Sequence, residues 1–374
     1  VSAGTDAMRI ALAFPFPPLR GGIAQFSPRL QKALEELGCT CEPVSYRRLY
    51  PKPLFPGTSQ YRPGQDEEDA PFAPLDSVWP PAWLRTRRWF RRAGLDAVAV
   101  AWWHPFFAPC LLASIPSDIP CVAICHNVLP HEGFPLSRTL TRVFLGRAGN
   151  IITHSRADAA IARDLVPKAR VRPLYLPLYD QYTGLDADGG EIRKSLDLPE
   201  EGRVLLFFGL VRPYKGLEDM VRALELLDPS VSVLAVGEPY MDPGPVRRLV
   251  RELGVDDRFV WIDRFVTDRE LASCFRAADA LVLPYRHATQ SAVGQVGLAF
   301  GLPMIVSDAG GLPDLVEQGT TGEVFAAGDP QSLADAVGRI EPLMDDPGTS
   351  EMVTRKAGEF SWRRYAEVLL ESLR

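Results

Sequence analysis

The sequence predicts two successive α/β domains, each a parallel sheet covered by helices on both faces. Three observations carry this prediction. Short apolar, β-rich runs alternate with helical patterns, the runs fall into two series, and a polar stretch rich in turn residues separates the series. A length of 374 residues also exceeds what one hydrophobic core usually organises. Two Rossmann-like domains satisfy all of this.

The first series comprises "RIALAFP" from Arg9, "DAVAVAWW" from Asp96, "CVAICHN" from Cys121 and "NIITHS" from Asn150. After its first run comes "PFPPLRGGIAQFSPRL", in which Gly21 and Gly22 permit close backbone approach to a ligand ahead of a helix. One consistent reading makes Ser27 the N-cap and Pro28 the first helical residue. A plain turn explains the glycines equally well, and the stretch lacks the GxGxxG fingerprint of dinucleotide binding. Residues 51–81 hold eight prolines and the acidic run "DEED", which suits either an acceptor-side lid or a disordered insertion. Next, "WLRTRRWFRRAG" from Trp83 carries five arginines. Such a helix can rest on anionic lipid, or it can pack its aromatic residues on a sheet with its arginines in water.

His104, His126, His154 and His287 lie at or just beyond the ends of apolar runs, where open α/β sheets bind their ligands, and His131 lies a few residues further along a loop. Alternation in the run from Cys121 sets Cys121, Ala123 and Cys125 on one face and Val122, Ile124 and His126 on the other. A cysteine–histidine metal site is therefore not expected. The linker "LPLYDQYTGLDADGGEIRK" spans residues 176–194, and its Asp186 and Asp188 read as a solvated turn. The expected divisions are 1–180, 181–355 and a terminal segment, 356–374.

The second series is "RVLLFFG" from Arg203, "SVLAVG" from Ser232, "RFVWI" from Arg258, "DALVLP" from Asp279 and "PMIVSD" from Pro303. After its first run, "FFGLVRPYKGLEDM" places Arg212 and Lys215 just ahead of a helix. The partial positive charge of a helix start disfavours cations, so either these side chains turn into water or a strongly anionic group sits there. Phosphate is the usual candidate. Further on, Gln290 and Ser291 precede a helix ending near Phe300, and Gly310 and Gly311 precede Pro313. Each site is explicable as a cap or turn, but together they describe three phosphate-competent helix starts.

Composition narrows the classes. Hydrophobic residues make up 46% of the chain and charged residues 24%, as in a soluble globular protein. A net charge of −6 argues against a broad nucleic-acid surface, so no nucleic-acid partner is expected. The six cysteines form no CxxC pair, which suits buried thiols in a reducing compartment. No apolar run reaches the length needed to span a bilayer. A cytoplasmic protein is expected, peripheral at the inner membrane if the arginine-rich helix meets lipid.

At these residues the chain resembles the retaining GT-B-fold glycosyltransferases of family four, also called glycosyl transferases group 1. "GLVRPYKG" resembles that family's donor loop, and "GLPMIVSDAGGLPDLVEQGTTGEVF" resembles its GxP…GGxP…GxxG segment. "CHNVLPHE" is similar to the histidine-containing loop of the acceptor domain, and "FSWRRYAEVLLESL" to the terminal helix that crosses back to the first domain. The resemblance implies two domains facing across a cleft and transfer of a sugar from a nucleotide diphosphate donor, UDP- or GDP-linked. The acceptor would be a hydroxyl on a glycan, a lipid-linked saccharide or a small molecule. It also implies net retention, with no cofactor and no metal. Arg212 and Lys215 would neutralise the leaving diphosphate, with Gly21, Gly22, Gln290 and Ser291 as further donors. His126 would contact the donor sugar near the reacting carbon, and Asn127 and His131 would lie on the acceptor or sugar side. The family usually carries two glutamates eight positions apart, where this chain has Ala288 and Val296. A ribose partner such as Glu317, an altered donor, or a GT-B-like binding protein without turnover are the alternatives this departure opens. A nucleotide-dependent dehydrogenase is disfavoured because no GxGxxG follows a strand.

Overall fold

A computed structural model of the chain describes residues 7–51, 60, 61, 66, 72–130 and 133–373. Most of the proline-rich segment 51–81, the expected lid, lies outside the described residues, as does His131. The chain forms two compact units, Val1–Tyr175 with Trp362–Arg374, and Leu176–Ser361.

In the first unit the chain runs through β1 (Arg9–Ala13), α1 (Gly22–Glu36), β2 (Thr40–Val44), β3 (Tyr46–Arg48) and β4 (Leu75–Asp76). It continues through α2 (Pro80–Arg92), β5 (Ala97–Trp102), α3 (Ala108–Ser114), β6 (Cys121–Cys125) and α4 (Ser137–Ala148). The last elements of this pass are β7 (Gly149–Thr153), α5 (Arg156–Leu165) and β8 (Arg170–Pro173). Six strands pair in the order β2-β1-β5-β6-β7-β8, all parallel. Strands β5 and β6 are buried along their whole length, which is why they read as unbroken apolar runs.

Helix α1 begins well before Pro28, with Gly21 as its N-cap at φ +112°. Glycine tolerates that conformation, and proline within the helix costs the bond that its absent N–H cannot make. The Ser27 hydroxyl lies 2.7 Å from the Ile23 carbonyl and 2.6 Å from that of Pro15, so it lies inside the helix and does not cap it. Helix α2 opens on two prolines, which its first turn accepts, and ends on Arg91 and Arg92, which favour a helix carboxyl end. Its Phe90 is buried, and the Trp83 indole N–H donates to the Asp76 carbonyl at 2.6 Å.

The second unit holds α6 (Gly189–Ser195), β9 (Arg203–Phe208), α7 (Leu217–Leu226), β10 (Val231–Val236), α8 (Gly244–Glu252) and β11 (Phe259–Ile262). It continues with α9 (Asp268–Ala277), β12 (Ala280–Leu283), α10 (Ala292–Ala299), β13 (Met304–Ser307), β14 (Gly322–Phe325), α11 (Pro330–Asp345) and α12 (Thr349–Ala357). Its six-stranded parallel sheet has the order β11-β10-β9-β12-β13-β14. Asp188 accepts from the Gly190 N–H at 2.8 Å as the N-cap of α6, which accounts for the second aspartate of the linker. Thr267 and Glu270 form a capping box at the start of α9.

The final helix, α13 (Trp362–Leu373), belongs to the first unit, where it packs on α1, β6 and β7. All six cysteines are free thiols; Cys121 and Cys125 pack with Phe144 and Leu111 in the core.

Candidate functional site

In both sheets the strand order reverses beside the first strand of the unit, between β1 and β5 and between β9 and β12. Crevices at such switch points, outside the carboxyl ends of the strands, are where open α/β sheets bind ligands. Arg212 and Lys215 follow β9, and Tyr285 follows β12. The second unit therefore brings its cations to its switch point.

The turn Pro213–Lys215 is a single 3-10 turn, and Gly216, at φ +69°, links it to α7. A Cβ at Gly216 would stand 1.9 Å from the Pro284 carbonyl oxygen, so only glycine lets the turn lie against the end of β12. Lys215 is 91% buried, since its relative exposure is 9%. Its ammonium lies 5.1 Å from the Tyr285 ring centroid and so close to Gly209 that an added Cβ there would be 2.9 Å away. Burial, then the charge of Arg212, pulls the ammonium down from 10.5 to about 8. Arg212 is half-buried with its guanidinium 5.3 Å from the Tyr240 ring centroid. Among the described residues neither cation has an ion pair.

The nearby carboxylate is already taken. Asp219 is held by the fork of Arg286 at 2.8 and 2.6 Å, a bidentate pair, and makes no ion pair with Lys215. Glu218 and Asp219 also occupy the first turn of α7. That helix start is thus served by its own acids, and an anion here would be met by side chains above it. A pocket of about 260 Å³ is lined by Arg212, Pro213, Leu217, Glu218, Met241 and Arg286 among others, though not by Lys215.

Ser291 is the N-cap of α10, its Oγ accepting from the Gly294 N–H at 3.2 Å and lying 3.4 Å from the Tyr285 hydroxyl. Gln290 immediately precedes it. Gly310 touches the same loop, because a Cβ on it would lie 1.7 Å from the Ala288 carbonyl oxygen. The element at Pro313–Leu315 is only a three-residue 3-10 turn, so two of the three expected helix starts are helices proper, α7 and α10. Val296 is a buried apolar residue of α10, and Ala288 offers no carboxylate either. Glu317 is exposed in a turn whose backbone is tied to the Thr321 hydroxyl at 2.7 Å. The polar group that α10 does bury is Gln295, whose Oε1 has no hydrogen-bond partner among the described residues. Sequence reading missed it for want of any local signal.

In the first unit, Gly21 and Gly22 begin α1 beside the switch point, with no side-chain cap and no acid in the first turn. His126 follows β6, its ring edge-on to Phe26 at 5.1 Å and to His154 at 4.9 Å. Its Nε2 is shielded from water and has no hydrogen-bond partner among the described residues, and burial lowers its pKa to about 3. Burial of this kind keeps the imidazole neutral. His154 is fixed by the Tyr365 hydroxyl at 2.8 Å, so α13 completes the aromatic wall around His126. Asp158, raised to about 6 by burial, accepts from the Val128 N–H, while the Trp102 indole donates to the Val128 carbonyl at 3.2 Å. Both hold the loop that carries His126 and Asn127. Tyr365 and Asp158 act through hydrogen bonds to residues distant in the chain, so neither stands out in the sequence.

Comparison with known proteins agrees with this arrangement. Residues 202–341 match the model for glycosyl transferases group 1, and residues 21–177 match the glycosyl transferase 4-like domain. A D-inositol 3-phosphate glycosyltransferase of Mycobacterium tuberculosis is 31% identical over 189 residues, covering 49% of this chain and 39% of that protein. The chain thus matches about two-fifths of the length of such curated relatives. Among solved structures, sucrose-phosphate synthase from Thermosynechococcus elongatus aligns at TM-score 0.74 and 18% identity, covering 97% of this chain and 98% of that one. Anabaena HepE in complex with UDP aligns at TM-score 0.68 and 16% identity, over 98% and 99% of the two chains. With family matches in both units and a fold shared over nearly its whole length, the chain belongs to the group 1 glycosyltransferases of GT-B fold.

Proposed function

We propose that this chain transfers a glycosyl group from a nucleoside diphosphate sugar to a hydroxyl acceptor with net retention. UDP-sugars are the first donors to test, because HepE was solved with UDP and with UDP-glucose. The observation that carries the reading is the buried, carboxylate-free Lys215 beside Arg212 at a switch point. A desolvated cation without an anionic partner is costly in the empty protein and strongly favours a bound diphosphate.

In this reading the bond between the anomeric carbon and the donor phosphate oxygen breaks while the acceptor oxygen bonds to the same face of that carbon. The acceptor proton passes to an oxygen of the departing diphosphate. Arg212 and Lys215 offset the charge that grows there, without a metal. Gly21, Gly22, Gln290 and Ser291 contribute donors to the diphosphate. The orphaned Nε2 of His126 takes a donor-sugar hydroxyl, with Asn127 and His131 on the acceptor or sugar side. A binding protein without turnover is the second reading, favoured by the apolar Val296 and Ala288 in place of the family's glutamates.

Thermal unfolding against UDP, GDP, ADP, their sugar conjugates and NAD tests the reading. A donor at about 100 times its dissociation constant should add roughly 2.7 kcal/mol of stability. A shift with NAD alone would overturn it. Release of the nucleoside diphosphate on adding acceptors separates the enzyme from the binder.

The pH dependence has a definite sign. Lys215 binds the diphosphate in its charged form, and that form is lost as pH rises through about 8. Affinity for the nucleoside diphosphate should therefore fall above that pH, by up to about tenfold per unit. For the empty protein the sign reverses. The folded pKa of about 8 lies below the ordinary 10.5, so the folded state binds fewer protons between them and this residue's unfavourable contribution fades as pH rises. Calorimetric titration at pH 7 and pH 9 checks the first effect; equal affinities would remove Lys215 from the site.

A further inference from the structure

Helices α2 and α4 flank α3, which packs against both, so the three form one layer on the first unit's sheet. Both outer helices begin at the carboxyl edge of that sheet, because each runs back to the amino end of the next strand. The solvent face of α2 bears Leu84, Arg85, Arg88, Arg91 and Arg92 at helical spacing, opposite buried Ala82, Thr86 and Phe90. None of these four arginines has an ion pair or hydrogen bond among the described residues, and α2 contains no acidic residue. On a chain of net charge −6 this is a local reversal of sign.

The apolar side chains of this layer are as informative. Trp79 is 52% exposed and Leu84 58% at the start of α2, and Leu136 is 72% exposed and Val143 52% along α4. Arg142 stands exposed beside Val143, again without an ion pair. A water-facing helix surface normally mixes charges of both signs, and exposed apolar side chains are informative where several gather on one surface. A nucleic acid would engage the arginines but leaves the exposed leucines and tryptophan unexplained. Basic side chains interleaved with exposed Trp, Leu and Val suit the boundary of an anionic bilayer, where headgroups meet the charge and acyl chains the apolar tips.

We propose that the α2–α4 layer docks this unit on a membrane surface rich in anionic phospholipid. Because the docking face runs from Leu84 to Arg92, α2 lies along the bilayer surface. The inference does not depend on the donor chemistry.

The test is co-sedimentation of the full chain with vesicles of phosphatidylcholine, alone or mixed with phosphatidylglycerol. Binding to the mixed vesicles should exceed that to phosphatidylcholine at least about tenfold and decline with added salt. Arg88→Glu combined with Arg91→Glu and Arg92→Glu should abolish it. Trp79→Ser with Leu84→Gln should weaken vesicle binding several-fold, roughly as lost apolar burial requires, yet leave retention on a soluble polyanion unchanged. Unchanged thermal midpoints would show both variants folded, as their sites are exposed. Equal binding to the two vesicle types, or full binding by the charge-reversed variant, overturns the proposal. So does an apolar variant that binds like the parent, which would mark the surface as a site for a soluble polyanion or another protein.

Discussion

Lys215→Ala should weaken binding of the nucleoside diphosphate by roughly 1.5–3 kcal/mol, about 10- to 150-fold, as expected for loss of a charge-assisted contact. The same substitution should leave the empty protein as stable as before or more so. Lys215 is a buried cation with no carboxylate of its own, and its removal relieves a desolvation cost. Affinity and stability therefore move in opposite directions, a pattern that general damage to the fold would not produce. Isothermal titration with UDP and GDP, beside the thermal midpoint of the empty protein, reads both. Unchanged affinity would take Lys215 out of the diphosphate site, and lower stability with lower affinity would make it a packing residue.

His126→Ala should act on a different step. The imidazole contacts Phe26 and His154, and its Nε2 has no partner among the described residues; the contact proposed for it is with the donor sugar and not the diphosphate. Transfer should fall by about 100-fold, the scale seen when one positioned polar group is removed. Nucleotide affinity should stay within about twofold, within the spread of a change that leaves that contact intact. Steady-state rates with a responsive donor and acceptor, paired with nucleotide titration, distinguish the outcomes. Equal losses in both would mean that the ring only props the loop. Burial keeps His126 neutral down to about 3, so His126 should impose no inflection on the rate near neutral pH.

The interior strands were legible because a strand flanked by two others and covered on both faces has no polar side to show. "DAVAVAWW" and "CVAIC" are therefore unbroken. The strands that escape such reading lie at sheet edges. β2 carries Glu42 and Pro43, and β8 carries Arg170, Arg172 and Pro173. An edge strand can face water and accommodate proline, so its sequence resembles a loop. The start of α1 was misplaced for a related reason. Pro28 looks like a first-turn residue, but the left-handed Gly21 starts the helix and the interior proline is tolerated.

What the sequence by itself determined is the pair of parallel sheets and the placement of Arg212, Lys215 and His126 just beyond strand ends. Those follow from local rules, since apolar runs must be buried and the chain leaving a parallel strand faces the ligand edge. Only the tertiary structure decided that Arg286 claims Asp219 and leaves Lys215 without a counter-charge, and that α13 returns Tyr365 to His154. The same holds for His126, whose Nε2 is closed off from water with no partner among the described residues. Burial and the assignment of partners depend on side chains brought together from distant points in the chain. Local propensity carries no record of that competition.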